Sequence, residues 1–384
     1  MRVLAALFGV ALIVAILVEG FETVVQPRRV TRKYRISRVY YAAFWAIWRW
    51  VAGRMLTKSK KRAGFLGAFG PLSLLGIFAT WVMGLVVGFA FLQWGLRDVI
   101  LVNAGPTEIS LGTYLYLSGT TFFTLGYGDV TPVTSLGRML AVAESGLGFG
   151  FLAAILSYLP ALFQSYSRRE VNISLLDARA GSPPAASQLL LRAARTGSCS
   201  TLEPFLGEWE RWAAEVLESQ LSFPVLAYYR SQHDNQSWLA ALTTVLDTCA
   251  VLMTQIRDVN TYQAQVTFAI ARHAAVDLAL VLRAKAPASA LERLTAEQFT
   301  ALRSSLEAAG VPLRDVAGGE EALRTLRANY EPFVRGIGER LLLIVPPLMT
   351  EDGVPDNWQR SAWMKPTPGI GKLPTPTPNE GHFG

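Results

Sequence analysis

Residues 65–94 read FLGAFGPLSLLGIFATWVMGLVVGFAFLQW and carry no charge. A helix needs only about 20 apolar residues to cross the hydrocarbon core of a bilayer, so this run alone excludes most soluble folds. Two further apolar runs accompany it. One is 3–18, VLAALFGVALIVAILV, and the other is 139–163, interrupted only by Glu144. With 51% hydrophobic and 17% charged residues, the chain reads as an all-α membrane protein.

Charge is divided unevenly and sets a topology. Of the basic residues, twelve lie between Gln26 and Arg62, where there is no acid. Such a block beside membrane spans belongs on the cytoplasmic side. The first run (domain 1–26) is then a span whose N-terminus faces outside. Its rival, a cleaved signal peptide, would send those positive charges out, and no A-x-A site is evident. Arg29, Arg32, Arg35 and Arg38 are three apart, the spacing of a voltage-sensor helix. Thr31, Lys33 and Ser37 fill the gaps where a sensor needs apolar residues, so the stretch reads as a solvated linker facing anionic lipid at 28–62. Residues 39–56, rich in Trp, Tyr and Arg, suit a helix in the interface plane, within a basic cytoplasmic segment at 27–64. Nucleic acid is excluded as a partner because residues 161–384 hold 21 Lys/Arg against 23 Asp/Glu.

Beyond Arg168, Arg169 and Glu170 the composition becomes soluble, with apolar positions at helical spacing from 185 to about 345. This predicts a cytosolic α-helical domain over 165–349, with an unidentified ligand or partner. The Pro/Gly-rich tail 350–384 lacks a core. Cys199 and Cys249 lack metal spacing and read as reduced, buried thiols. His233 beside Asp234 has no evident nucleophile and reads as a surface or capping group; no enzyme activity and no organic cofactor are indicated.

Between the second and third long runs sits SGTTFFTLGYGDVTP, at 118–132. The run before it, 111–123, is too short to cross, which predicts a re-entrant helix followed by a loop at membrane depth. Non-helical backbone is tolerated there only where protein buries it or it lines a watery path. A dehydrated cation needs oxygens at the spacing of its lost water shell, and rings of backbone carbonyls supply them without net charge. Carbonyls pointing the same way require alternating backbone conformations that most L-residues avoid, and Gly126 and Gly128 relieve that strain. The Thr124 hydroxyl adds an oxygen, Tyr127 braces the loop, and Asp129 stands at the outer mouth. The preceding helix aims its negative C-terminal end at the loop, which favours a cation.

TLGYGD resembles the TVGYG filter of potassium channels. LYLSGTTFFTLGYGDVTPVTSLGRM is similar to the pore helix, filter and inner-helix start of prokaryotic two-span potassium channels, a likeness covering about residues 65–164. The resemblance implies a homotetrameric pore in a bacterial inner membrane. It makes Thr124, Leu125, Gly126, Tyr127 and Gly128 the K+-binding filter, with Thr124 to Tyr127 holding the K+ ions. It also implies an outer helix at 65–94, a pore helix at 111–123 and an inner helix at 135–164. Gly148 falls where such channels hinge, or it serves close packing together with Gly146 and Gly150, as Gly84 and Gly88 do in the outer helix. Pro160 is a second candidate for the gate.

Three departures stand out. Leu125 replaces Val, Phe123 replaces a small residue, and Thr120 stands where some relatives carry a bracing Glu. Glu144 reads as the one ionisable residue inside a span. It is expected to hydrogen-bond near Thr120 or Thr121 as a substitute brace, or to be a protonated carboxyl facing a neighbouring helix. The function expected is a potassium-selective channel gated through the cytosolic domain. The alternatives are a scaffold or signalling protein with a leak or non-conducting pore, and a weakly selective cation channel.

Overall fold

The computed structural model describes residues 1–25, 35–55, 60–97, 100–102, 109–195, 198–232, 235–287, 293–314 and 318–349. Arg29, Arg32, His233, Asp234 and the tail 350–384 lie outside them. The chain divides into two compact units, Met1–Gln164 and Ser165–Gly384.

The first unit is built around α3 (Lys60–Leu96), a helix of 37 residues. At 1.5 Å per residue it is about 55 Å long, so it exceeds the expected 65–94 at both ends. The N-terminal helix α1 (Arg2–Gly20) lies along it and ends in one π-helical turn, Phe21–Val25. Their backbones touch: a β-carbon at Gly9 would stand 2.7 Å from Leu92 N, and one at Gly95 would stand 2.6 Å from Arg2 O. Helices in lipid associate by such close packing, because lipid tails are as apolar as leucine.

The interfacial candidate forms α2 (Ile36–Gly53). It lays Trp48 flat on Phe65 at 4.2 Å between ring centroids and sets Trp45 edge-on to Phe69 at 4.7 Å. Its other face leaves Val39, Ile47 and Trp50 exposed. The aromatic residues that suggest a membrane surface therefore also pack α2 against α3.

After α3 comes a short strand, β1 (Ile100–Val102), then α4 (Leu111–Phe122), β2 (Val130–Pro132) and α5 (Ser135–Ala180). β1 and β2 pair antiparallel, with Leu101 opposite Thr131. Helix α5 runs on past 164 as one helix of 46 residues, with Pro160 inside it.

The second unit is helical, as its spacing implies. It contains α6 (Ala186–Ala194), α7 (Leu202–Ser222), α8 (Trp238–Gln255), α9 (Tyr262–Val281), α10 (Ala296–Ala308), α11 (Gly319–Ala328) and α12 (Glu331–Leu341). Among the described residues, five helices are long and apolar enough to cross a membrane: α1, α3, α5, α8 and α9. Helix α8 is buried on all sides because it is the centre of this unit's core, with Leu239, Leu242, Leu246 and Val251 among its buried residues. Cys199 and Cys249 are free and buried, and burial raises both thiols, which leaves them unreactive.

The last turns of α5 are locked into this second unit by Arg169, which is buried. Its two terminal nitrogens donate to Leu226 O and Tyr229 O, both at 2.9 Å, and its own carbonyl accepts from Trp212 Nε1 at 3.2 Å. Arg169→Ala strands two buried carbonyls, at about 1–3 kcal/mol each. Denaturant unfolding of the full-length protein is expected to show a midpoint lowered accordingly; Arg168→Ala, at an exposed position, is expected to change little.

Candidate functional site

Helix α4 begins where Thr113 Oγ1 accepts from Ser110 N at 3.2 Å. It ends by handing its last carbonyls to the loop that follows. Phe123 N donates to Gly119 O at 3.1 Å and Thr124 N to Thr121 O at 3.0 Å. Thr120 O then takes two donors, Leu125 N at 2.8 Å and Gly126 N at 3.4 Å. The support expected of Thr120 and Thr121 thus runs through their carbonyls, while the Thr120 hydroxyl donates to Leu117 O within the helix.

The decisive geometry is in the backbone. Thr124, Gly126 and Gly128 all have positive φ, at 57°, 55° and 78°. Left-handed backbone at alternate residues is what a row of carbonyls facing one way requires, and only glycine adopts it without strain. Gly126 and Gly128 were legible in the sequence, but Thr124 as a third such position was not.

In a single chain this loop is bare. Leu125 is 54% and Tyr127 67% exposed. Asp129 is held from behind, because Tyr116 on α4 donates its hydroxyl to Asp129 Oδ2 at 2.8 Å.

Glu144 is fully buried on α5. Its carboxylate meets Ser118 Oγ on α4 and accepts from Gln93 Nε2 on α3 at 3.1 Å. Ser118 Oγ also contacts Val86 O on α3 at 2.8 Å. Three helices therefore meet at one carboxylate. The partner on α4 is Ser118, rather than the expected Thr120 or Thr121. Thr120, two residues further along a helix that turns about 100° per residue, faces away from Ser118. Gln93 was the available clue, since it is the one amide side chain in the run 65–94. Glu144 is also not alone: Glu19, near the end of α1, is equally buried.

Gly148 lies on α5 against the end of α4, where a β-carbon would run into Phe122 O and sit 3.2 Å from Phe122 Cδ2. Close approach alone thus demands glycine there. Gly146 and Gly150 have open space beside them.

Residues 75–165 match the family described as ion channel. Protein LctB of Bacillus caldotenax is 33% identical over 94 residues, which cover 22% of this chain and 69% of that protein. The chain belongs to the ion channel family. Protein LctB of Geobacillus stearothermophilus is 37% identical over the same shares, 22% of this chain and 69% of the relative. Two pore potassium channel c of Oryza sativa subsp. japonica is 32% identical over 87 residues, 23% of this chain and 19% of that protein. No solved structure matches. The channel is an all-α, multi-pass membrane protein, and its family is one of pores rather than of enzymes. All three relatives align with about a quarter of the chain or less, so they speak for the pore region and not for the second unit.

Proposed function

We propose that this channel is a potassium-selective homotetramer in the cell membrane, and that Thr124, Leu125, Gly126, Tyr127 and Gly128 form its filter. The observation that carries this reading is the alternation of left-handed φ at 124, 126 and 128. Uncharged carbonyls aligned in this way replace the water around K+ when about four copies close a ring. Two findings support the ring. The loop is exposed in one protomer, which is not tolerated at membrane depth without neighbours. A potassium channel by name is also among the relatives.

In this reading residues 65–164 form the pore domain, residues 1–26 an N-terminal span entered from outside, and residues 165–349 a cytoplasmic domain that biases the gate. Residues 28–62 face anionic lipid. Arg169 gives the second unit its grip on the end of α5. Gly148 and Pro160 are the positions where α5 would bend.

Purified protein reconstituted into liposomes under a potassium gradient tests the proposal. Potassium flux well above sodium flux is the expected result. Equal sodium and potassium rates would leave a cation pore without the proposed filter, and no flux from a correctly assembled protein would favour a scaffold.

Asp129 with Tyr116, and Glu144 with Ser118 and Gln93, act here as supports for the filter. Glu144→Gln keeps the shape and turns one carboxyl oxygen into an amide donor, so one of the hydrogen bonds from Ser118 and Gln93 is lost at the junction of three helices, at about 1–3 kcal/mol. Faster inactivation and a lower open probability are expected in single-channel recordings, with selectivity retained. Recordings identical to wild type would remove Glu144 from the filter's support.

A further inference from the structure

The filter and gate leave unexplained a second buried carboxylate, Glu19, which is 1% exposed near the end of α1. It accepts from Ile36 N at 3.2 Å, from Ser37 N at 3.0 Å and from the Ser37 hydroxyl. These are the first-turn groups of α2, which have no acceptor within their own helix. The residue at the N-cap of α2 is Arg35, which makes no side-chain capping bond. The cap is supplied instead by a different helix, and its negative charge sits at the positive end of the α2 dipole.

Arg35 closes the joint from the other side. Its Nε lies 3.4 Å from Glu19 Oε1 and 3.7 Å from Glu22 Oε2, while its NH2 donates to Thr23 Oγ1 at 2.8 Å. Two carboxylates, a hydroxyl and a guanidinium thus tie the inner end of α1 to the start of α2. The far part of α2 stacks on Phe65 and Phe69 at the start of α3, and α3 holds α4 through Val86 O and α5 through Gln93. An anchoring span would need neither a buried charge nor a cap for another helix.

We propose that Glu19 is a positioning residue for opening: carried on α1, its carboxylate fixes the start of α2 and thereby sets how often the channel opens. The inference rests on channel activity alone, and it stands whichever cation the pore selects.

The test uses full-length Glu19→Ala and Glu19→Gln proteins with two readouts. Hydrogen exchange reports the Ile36 and Ser37 amides directly, and recordings in planar bilayers report open probability and conductance separately. In Glu19→Ala those amides are expected to exchange about tenfold faster or more, since their acceptor is gone. Open probability is expected to change by about threefold or more, with conductance and ion preference unchanged, because the pore itself is untouched. Glu19→Gln keeps an acceptor and loses the charge, so it is expected to fall between wild type and Ala; it also carries the test if Glu19→Ala fails to assemble. Faster exchange with unaltered open probability would make the joint purely structural and overturn the proposal. Unaltered exchange would show that the cap does not form, and would overturn it as well. Loss of selectivity with normal exchange would strike at the filter reading instead.

Discussion

Gly126→Ala is expected to cut cation flux by about a hundredfold or more while the protein still assembles. A β-carbon at Gly126 meets no atom of its own chain within 4 Å, so there is no steric clash within the protomer. What changes is the cost of φ at 55°, about 1–2 kcal/mol for an L-residue in the left-handed region. The chain already bears one such cost at Thr124, with φ at 57°. If four copies share one ring, a second strained residue adds about 4–8 kcal/mol to the conducting arrangement, and each 1.4 kcal/mol is tenfold. Gly119→Ala is the control. It too has open space around its β-carbon, but it lies within helix α4, where alanine is favoured by about 1 kcal/mol. Liposome flux and size-exclusion chromatography of both variants check the prediction. Normal flux through Gly126→Ala would remove the left-handed backbone from any role in conduction.

Asp247→Ala is the change expected to damage the second unit most. Asp247 is fully buried on α8. It accepts from Arg293 NH2 at 2.5 Å and from the Tyr330 hydroxyl, and Arg293 also donates to Pro346 O at 2.6 Å. Burial opposes the charge on Arg293, but Asp247, Tyr330 and Glu331 outweigh it and hold the guanidinium above its ordinary value. Burial first, and the charge of Asp247 next, push the Tyr330 hydroxyl up as well. Removing the carboxylate strands a buried cation and a buried hydroxyl together, which costs about 3–5 kcal/mol. Pulse proteolysis of the full-length protein in denaturant is expected to show cleavage within 165–349 at a markedly lower midpoint. The double change Asp247→Leu with Arg293→Met removes both charges and is expected to recover much of the loss. A midpoint for Asp247→Ala close to wild type would mean that the ion pair contributes little net stability.

What was legible in the sequence follows from which signals are local. The run 65–94 needs no context to read as a membrane helix, because every residue in it is uncharged. GYGD declares its strain through glycine spacing, and the helical pattern of 206–221 is plain from WERWAAEVL. Other features depend on partners far along the chain. Arg168, Arg169 and Glu170 look like the end of a span, yet α5 continues because Ile173, Leu176 and Ala180 find a core to enter. Arg169 looked like one more boundary charge until its acceptors, 57 and 60 residues away, were known. Tyr116 gave no sign of serving Asp129. Glu19 lay at the edge of an apolar run, where a carboxylate ordinarily meets water, and only the packing of α2 explains its burial.

The two-stranded ribbon of β1 and β2 carries a further consequence. Ile100 is buried while Leu101 is exposed, and Ile100 packs with Tyr114 and Leu117 of α4. A single residue inserted within 100–102 would turn Leu101 inward and Ile100 outward, because strand neighbours face opposite ways. The register of β1 is therefore gauged by its pairing partner downstream of the loop. A tag or label grafted into that strand would transmit its disturbance to the helix that carries the loop.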